Sequence, residues 1–596
     1  MLLGDYVLKF LLSKKIERIF LITGGAIAFV VDAFSRNKNI KYTCVAHEQS
    51  AAMMADAYYR VKKRLSATMV TSGPGAQNLL TGIACSWFDS IPSIHITGQV
   101  NTRELSKFSK TTKKVRQIGF QETDIVSIVK PITKFSYQVK KASEIKYILE
   151  KAFNKAISGR PGPVLIDIPM DLQRVKIDSL KLKKFIFIKK KKKKIFAKKI
   201  LKLLKKSNRP VVILGGGIKS SNSEKIVKNF LKKIQIPIVT TWSGFGLVSS
   251  KNKLYIGNVG VYGSRSANFA VQNSDLIINL GSRLDTRVTG GFPKTFARKS
   301  KIISIDIDKY ELNKKRGLNN FLKVNVDLNY FLKNLFKKNK KFNFKCTEKW
   351  FKQCVLWKKN YSNYNITYAK QKIRVNPYFF IKELSNILKK SDIVIADDGG
   401  HLTWTMQAFE IKEDQKLFSA FGNSPMGYAL PAAIGACFAN NKKRVVCIDG
   451  DGSIQINIQE LQTLSFNKLP VKIFVINNDG YGIIKQFQEL YMNKRYEAST
   501  PRKGVSNPDF AKIATAYKLN YTKITNHKNL KEKLRKIIES KVAEFVEVFI
   551  QNNQKIIPKL EFGRPIEDLS PLLDRKELER NMLISTQKSF TKINQV

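Results

Sequence analysis

Ile448-Asp449-Gly450-Asp451-Gly452-Ser453, followed by Phe474-Val475-Ile476-Asn477-Asn478-Asp479-Gly480, reads as strand, glycine turn, helix and strand. Each half opens on an apolar run, Val445, Val446 and Ile448 in the first and 471–476 in the second. Parallel strands buried on both faces have this composition. Between them, 454–466 has helical spacing and neither Gly nor Pro. Gly450 and Gly452 let backbone N–H groups approach an anion at a helix N-terminus, and Ser453 falls in the same turn. Asp451 is a hard oxygen donor there; Asn478, at the next strand end, offers an amide oxygen and Gly480 a backbone carbonyl. Octahedral Mg²⁺ takes such oxygens and completes its shell with phosphate and water. A lone Gly-Asp-Gly is an ordinary turn. With Asn477-Asn478 on the adjoining strand end, it predicts a metal–diphosphate site at the carboxyl ends of two neighbouring strands.

Outward from this unit, apolar strands and glycine turns alternate along most of the 596 residues, enough for about three or four domains at ~150 residues each. Residues 1–175 read as a doubly wound α/β domain, with strands at 19–22, 40–45, 68–70, 94–97 and 164–168. Its strand ends carry Thr23-Gly24-Gly25-Ala26, His47-Glu48-Gln49, Thr71-Ser72-Gly73-Pro74-Gly75 and Gly98-Gln99-Val100. Residues 1–20 read as an amphipathic helix and 51–61 as an Ala- and Met-rich one. Residues 176–194, with the lysine run 189–194, read as a solvated linker. Residues 195–340 form a second α/β unit, in which 211–214 runs into Gly215-Gly216-Gly217 and 276–280 into Gly281-Ser282-Arg283. The strand 302–307 ends near Asp306 and Asp308, acids of the kind that accept from a ribose hydroxyl. Residues 341–375 read as a connector anchored by Trp350 and Trp357. Residues 376–555 hold the third unit and 556–596 a charged tail of loop and short helix.

Lys and Arg number 106 against 46 Asp and Glu, a net charge of +60. The lysines are dispersed and no nucleic-acid-binding module accompanies them, so the excess reads as solvated surface; a non-catalytic basic scaffold for nucleic acid is the remote alternative. Six cysteines without a CxxC pair read as reduced thiols. No signal peptide is evident and no apolar run approaches ~18 residues, so a cytoplasmic chain without a membrane span is expected.

From its start to about residue 550 the chain resembles the catalytic large subunit of acetolactate synthase (acetohydroxyacid synthase). The matching stretches are His47-Glu48-Gln49 with its Ala-rich helix, Thr71-Ser72-Gly73-Pro74-Gly75, Ile96-Thr97-Gly98-Gln99-Val100, Gly159-Arg160-Pro161-Gly162-Pro163-Val164, Arg287-Val288-Thr289-Gly290, Met426-Gly427 with Leu430-Pro431-Ala432-Ala433, and Gln459-Glu460-Leu461. The resemblance implies a three-domain thiamine diphosphate (ThDP) enzyme: a pyrimidine-binding domain, a central FAD-binding-like domain and a diphosphate-binding domain. It implies a homodimer or homotetramer with each site shared between two subunits, and room for a small regulatory subunit. Glu48 would hydrogen-bond the pyrimidine nitrogen as general acid–base help on the cofactor. Met426 would wedge the cofactor into its bent form, while Gly399, His401, Gly450, Gly452 and Ser453 would hold the diphosphate and Asp451, Asn478 and Gly480 the Mg²⁺. Gln121, Phe120 and Gly25 match positions near the reacting carbon. Gly215, Gly216, Gly217, Arg283, Asp306 and Asp327 match FAD-binding positions, the FAD being structural.

The expected reaction is decarboxylation of pyruvate and transfer of its two-carbon unit to a second 2-ketoacid, giving 2-acetolactate on the way to branched-chain amino acids. Departures cluster on the acceptor side. Phe487 stands where the family has Trp, Asn258 and Val261 where it has Met, Met170 where it has Lys, and Asp398 where it has Val beside the thiazolium; Gly400 replaces a Gln. The segment 101–118 is longer than in the family and carries Arg103, Lys107, Lys110, Lys113, Lys114 and Arg116. The alternative reading is therefore transfer of the same unit to another carbonyl, such as a nucleotide-linked keto-sugar.

Overall fold

The structure is a computed structural model describing residues 1–106, 115–187, 195–314, 316–318, 321–337 and 340–587. Three six-stranded parallel sheets carry the fold. The first comprises β1 (Arg18–Leu21), β2 (Lys41–Cys44), β3 (Ala67–Val70), β4 (Ile94–Gln99), β5 (Phe135–Gln138) and β6 (Val164–Pro169), in the order β2-β1-β3-β4-β6-β5. The second comprises β7 (Pro210–Leu214), β8 (Ile238–Thr240), β9 (Tyr255–Asn258), β10 (Leu276–Leu280), β11 (Lys301–Asp306) and β12 (Phe321–Asn325), in the order β9-β8-β7-β10-β11-β12. The third comprises β13 (Ile393–Ala396), β14 (Leu417–Phe418), β15 (Val445–Gly450), β16 (Val471–Asn477), β17 (Asn520–Ile524) and β18 (Glu544–Phe549), in the order β14-β13-β15-β16-β18-β17. The first and third sheets thus share one topology, and the second has the doubly wound order of dinucleotide-binding sheets. β15 and β16 are buried at every residue, as their unbroken apolar composition requires.

In each sheet the strand order reverses beside the sheet's first strand, and the loops leaving the two strands at that point diverge into a crevice. In the third sheet the reversal lies between β13 and β15, so Asp398-Gly399 and the 450–453 turn flank one crevice and Asn478 adjoins it from β16. In the first it lies between β1 and β3, flanked by Gly24-Gly25 and the 71–75 turn. In the second it lies between β7 and β10, flanked by Gly215-Gly216-Gly217 and Gly281-Ser282-Arg283.

The first and third units pack through the helices Glu48–Lys62 and Ala429–Ala439. Both are Ala-rich on the shared face, and a Cβ on Gly435 would fall 2.3 Å from the Met54 carbonyl oxygen, so the backbones meet where only glycine fits. Beneath them Asp56 is fully buried, paired with Arg60 at 2.6 Å and accepting from Tyr428 Oη at 2.6 Å and Ser86 Oγ at 2.9 Å.

Several expectations change in detail. The N-terminal helix is Leu3–Ser13, and Phe20 belongs to β1 instead. The helix expected over 454–466 is broken into a 3₁₀ turn, Ile454–Asn457, and an α-helix, Glu460–Phe466. The break turns two side chains toward the rest of the molecule: Asn457 Nδ2 donates to the Gly427 carbonyl at 2.7 Å, and Glu460 Oε1 accepts from the Ala46 and His47 N–H groups at 3.0 Å each. The connector forms the helix Glu348–Asn360, with Trp350 and Trp357 buried as anchors. The C-terminal segment has one short helix, Arg575–Arg580, but is not a free tail. It buries Ile556, Leu560, Ile566, Leu569, Leu578 and Met582, and its Glu567 pairs with Arg298 of the second unit at 2.7 Å. Burial is worth roughly 1.5–3 kcal/mol for each such side chain. The lysine run 189–194 lies outside the described residues, as do Lys107, Lys110, Lys113 and Lys114 of the basic segment. Among the described residues no helix is long and apolar enough to cross a membrane.

Candidate active site

At the crevice of the third sheet the predicted donors converge. Asp451 accepts from Gly452 N–H at 3.1 Å, Gly480 N–H at 3.2 Å and Asn507 Nδ2 at 2.9 Å. The Asn478 amide lies between the Gly480 carbonyl and Asp451 Oδ1, to which its NH₂ donates at 2.7 and 3.3 Å. Asp451, the Gly480 carbonyl and the Asn478 amide oxygen, once turned, make a donor set that fits Mg²⁺. Burial pushes the Asp451 carboxyl up to about 6, the direction a bound cation would reverse.

The diphosphate end is built by close approach. A Cβ on Gly450 would fall 2.7 Å from the His401 ring, one on Gly399 2.6 Å from it, and one on Gly452 2.3 Å from the Tyr481 ring. His401 stands at the start of the helix Gly400–Ala408, where backbone N–H groups favour an anion. Burial pushes its imidazole down to about 3, so the ring is neutral, and its Nε2 is buried without a partner. An unsatisfied ring nitrogen over two glycines fits a diphosphate oxygen. Ser453 turns inward, donating to Asp449 and accepting from Gly450 N–H at 3.0 Å. Asp397, unmarked in the sequence reading, accepts from Gly427 N–H at 3.1 Å and Ala429 N–H at 2.7 Å, tying the turn that follows Met426 to the end of β13. Asp397, His401 and Asp449 form one buried cluster, and burial raises both carboxyls. An acid at a strand end beside Asp398 was the only signal for Asp397.

At the crevice of the first sheet, Glu48 opens the helix Glu48–Lys62 and is buried. Its carboxylate accepts from Asn78 Nδ2 at 2.9 Å and lies 3.3 Å from where a Gly75 Cβ would stand. Gln121, at φ 64°, packs against Gly73 of the same turn. Gly25 has open space where a Cβ would be, and Phe120 is 84% exposed. Glu48, Gln121 and the 73–75 turn are therefore together, with Phe120 directed to solvent. Among the described residues no hydrogen bond or ion pair joins this group to Asp451 or Asn478 within one chain.

A cavity of about 800 Å³ opens at the crevice of the second sheet. Gly216, Gly217, Arg283, Asp306 and Asp327 line it, whereas Gly215 lies beneath, where a Cβ would fall 2.4 Å from the Gly281 carbonyl oxygen. Asp306 accepts from Asp308 N–H at 2.9 Å and is pushed by burial to about 6; Asp327 caps the helix Leu328–Leu335. Two of the lining cations that the sequence did not assign to this site are held by neighbours. Lys219 donates to the Phe245 carbonyl at 2.7 Å, and burial pushes it down to about 7. Arg160 bridges to Asp308 at 3.1 Å and Glu311 at 2.9 Å. The glycine turn, the carboxylates and this volume fit a dinucleotide cofactor.

The acceptor positions scatter. Phe487, on the helix Gly482–Tyr491, packs with Tyr491 at 4.9 Å and with Phe562 of the C-terminal segment at 5.7 Å. Asp398 accepts from Ser424 Oγ at 2.6 Å. Asn258 is buried and fully engaged, accepting from Thr240 Oγ1 at 2.6 Å and donating to the Met406 carbonyl at 2.8 Å. It ties β9 to the helix Gly400–Ala408 and presents nothing to a substrate. Val261 is bonded through its backbone to Arg287 and Leu560, and Met170 starts the short helix Met170–Gln173 after β6.

Three family descriptions match the chain in order: thiamine pyrophosphate enzyme, N-terminal TPP binding domain, over residues 1–128; central domain, over 197–335; and C-terminal TPP binding domain, over 397–548. The chain is 35% identical over 569 residues to the acetolactate synthase large subunit of Cyanidium caldarium, covering 93% of this chain and 94% of that one. It is 34% identical over 568 residues to the large subunit of Lactococcus lactis, covering 94% of each. With the isozyme 2 large subunit of Escherichia coli it shares 32% identity over 555 residues, 93% of this chain and 96% of that one. Motifs, parallel-sheet architecture and chain-long similarity together show that this protein belongs to the acetolactate synthase large-subunit family of thiamine pyrophosphate enzymes.

Proposed function

We propose that the chain is a ThDP- and Mg²⁺-dependent carbon–carbon bond-forming enzyme that decarboxylates pyruvate and transfers the two-carbon unit to a second 2-ketoacid, giving 2-acetolactate. The observation that carries this is the convergence of Asp451, Asn478 and the Gly480 carbonyl at the carboxyl ends of β15 and β16, beside the unpartnered His401 nitrogen. When bound, the cofactor supplies a ring carbon that adds to a ketoacid carbonyl and holds the electron pair released with CO₂. The chain's own part is binding, orientation and one proton. Asp451, Asn478 and the Gly480 carbonyl would hold Mg²⁺; His401 would line the diphosphate end; Met426, positioned through the Asp397 contacts, would set the cofactor's bend. Glu48 would hold and pass a proton at the pyrimidine nitrogen, and burial of its carboxylate keeps competing water away.

The family resemblance implies a site assembled from two copies, in a dimer or tetramer. The relatives' designation as large subunits supports a small regulatory partner. The cavity at the second crevice supports a bound FAD. The sheets' extents support domain limits at 1–175, 195–340 and 376–555. The test is purified protein with ThDP, Mg²⁺, FAD and pyruvate, following CO₂ and acetolactate together. One acetolactate per CO₂ is the expected result. CO₂ released without acetolactate would sink the 2-ketoacid acceptor and send the search to other carbonyls.

A further inference from the structure

Asn477 closes β16 immediately before the proposed cation ligand Asn478. It is buried, and its amide is engaged at both ends. Nδ2 donates to Glu547 Oε1 at 2.6 Å, and Oδ1 accepts from the Asp479 N–H at 2.9 Å. Glu547, on the neighbouring β18, is buried too, and its other oxygen accepts from the Tyr521 hydroxyl on β17. Tyr521 is steadied by stacking on Phe545, 6.5 Å between centroids and 26° between planes. Among the described residues Glu547 has no ion pair. Lys523 stands opposite it in register, but the Lys523 ammonium lies 4.8 Å over the Phe549 ring instead. A carboxylate buried without a cation is costly, and here hydrogen bonds to both oxygens offset that cost.

These bonds have a direction. An ionised carboxylate accepts and never donates, so it draws the NH₂ of Asn477 and leaves the amide oxygen facing along the chain. That oxygen holds the Asp479 N–H. Asp479 takes the left-handed conformation, φ 54°, and Gly480 follows at φ 137°, where a Cβ would fall 2.6 Å from the Ser499 carbonyl oxygen. The chain therefore turns sharply after β16. The turn brings the Gly480 N–H to 3.2 Å from Asp451 and sets the Asn478 amide between the Gly480 carbonyl and Asp451. With the Asn477 amide reversed, its NH₂ would face the Asp479 N–H and the turn would lose its first bond.

We infer that Glu547, acting through Asn477, is a positioning residue for the cation loop 478–480, with Tyr521 holding the Glu547 carboxylate in the orientation this requires. The inference rests on the Mg²⁺ reading of Asp451, Asn478 and Gly480 and adds what aims them. Among the described residues neither Glu547 nor Tyr521 bonds to any of those three, so their influence passes through Asn477. Removing a group that orients metal ligands from behind typically weakens the metal about 10–100-fold.

The experiment titrates Mg²⁺ into the full chain at fixed ThDP, reading cofactor binding by quenching of intrinsic fluorescence, with circular dichroism and the melting temperature of the cofactor-free chain measured alongside. Glu547→Leu and Asn477→Ala should each raise the half-saturating Mg²⁺ concentration about tenfold or more. Both act along one path, so the double variant should be no worse than the weaker single one. Glu547→Gln can still accept from Asn477 while donating to the Tyr521 oxygen, and should recover most of the affinity lost in Glu547→Leu. Should Glu547→Leu not fold, Asn477→Ala and Tyr521→Phe carry the same test, each expected to raise half-saturation. Folded variants that melt earlier but half-saturate at the wild-type Mg²⁺ concentration would overturn the positioning role and leave Glu547 a stabilising residue only. Losses that add in the double variant would overturn the single path. A wild type that binds ThDP equally well without Mg²⁺ would overturn the Mg²⁺ reading and the inference with it.

Discussion

At the residue scale, two carboxylates stand in contrasting surroundings that suit the different tasks we propose for them. Glu48 is buried with one amide donor, a setting in which a carboxylate can exchange a proton with a ring nitrogen instead of with water. Glu48→Gln keeps the shape and the Asn78 contact but removes the proton. Turnover is expected to fall by roughly 10²–10⁴ with unchanged circular dichroism, the usual range for general acid–base help. Unchanged turnover would remove Glu48 from the mechanism. Asp451 instead meets backbone N–H groups and the amides of Asn507 and Asn478, the group we propose for a cation. Asp451→Ala is expected to abolish the Mg²⁺ dependence of ThDP binding in a calorimetric titration. Normal affinity in that variant would refute the metal assignment.

At the scale of the element, β3 and β4 are tied by His95, fully buried between Thr68 Oγ1 at 2.9 Å and Ser93 Oγ at 2.8 Å. Burial pushes its imidazole down to about 3. In the unfolded chain the ring takes a proton near pH 6.5, so below that pH the unfolded state binds more protons than the folded one. His95 therefore contributes stability that is full above about pH 6.5 and lost as pH falls toward 3, by about 1.4 kcal/mol per pH unit. The melting temperature of His95→Gln is expected to fall less steeply than that of the wild type between pH 6.5 and 4.5. Parallel acid branches would show that the ring charges without unfolding the sheet. The broken helix at 454–466 belongs to the same scale. Apolar spacing predicts one helix there, but the Asn457 and Glu460 bonds to Gly427, Ala46 and His47 are made only if the helix is interrupted.

At the scale of the whole molecule, the first and third sheets repeat one topology and pack through the helices Glu48–Lys62 and Ala429–Ala439, and among the described residues no hydrogen bond or ion pair joins Glu48 to Asp451. If each site draws Glu48 from one copy and Asp451 from the other, two inactive variants can complement. Mixing Glu48→Gln with Asp451→Ala and allowing subunit exchange places both substitutions in one site of the mixed dimer and leaves its other site intact. Activity should recover to about a quarter of the wild type, since about half the dimers are mixed and each has one good site of two. No recovery after demonstrated exchange would place the whole site within one chain.

The local signals were legible because they are local. Apolar runs mark buried strands, glycine turns at strand ends mark the crevices, and Asp451 with Asn478 suggests the cation site we propose whether or not the partners are known. Parallel, doubly wound sheets follow from the alternation of strand and helix, whereas the strand order in each, and with it the points of reversal, came from the tertiary structure. The tertiary structure alone decided what depends on residues far apart in the chain. Asn258 faces inward to Met406; Asp397 holds the turn after Met426; Phe487 meets Phe562. The rings of Trp242, Tyr262 and Phe421 gather at one end of a cavity. The physical reason is that periodicity encodes which face of an element is buried, while the partner that buries it, and the space left between them, are set by packing among elements hundreds of residues apart.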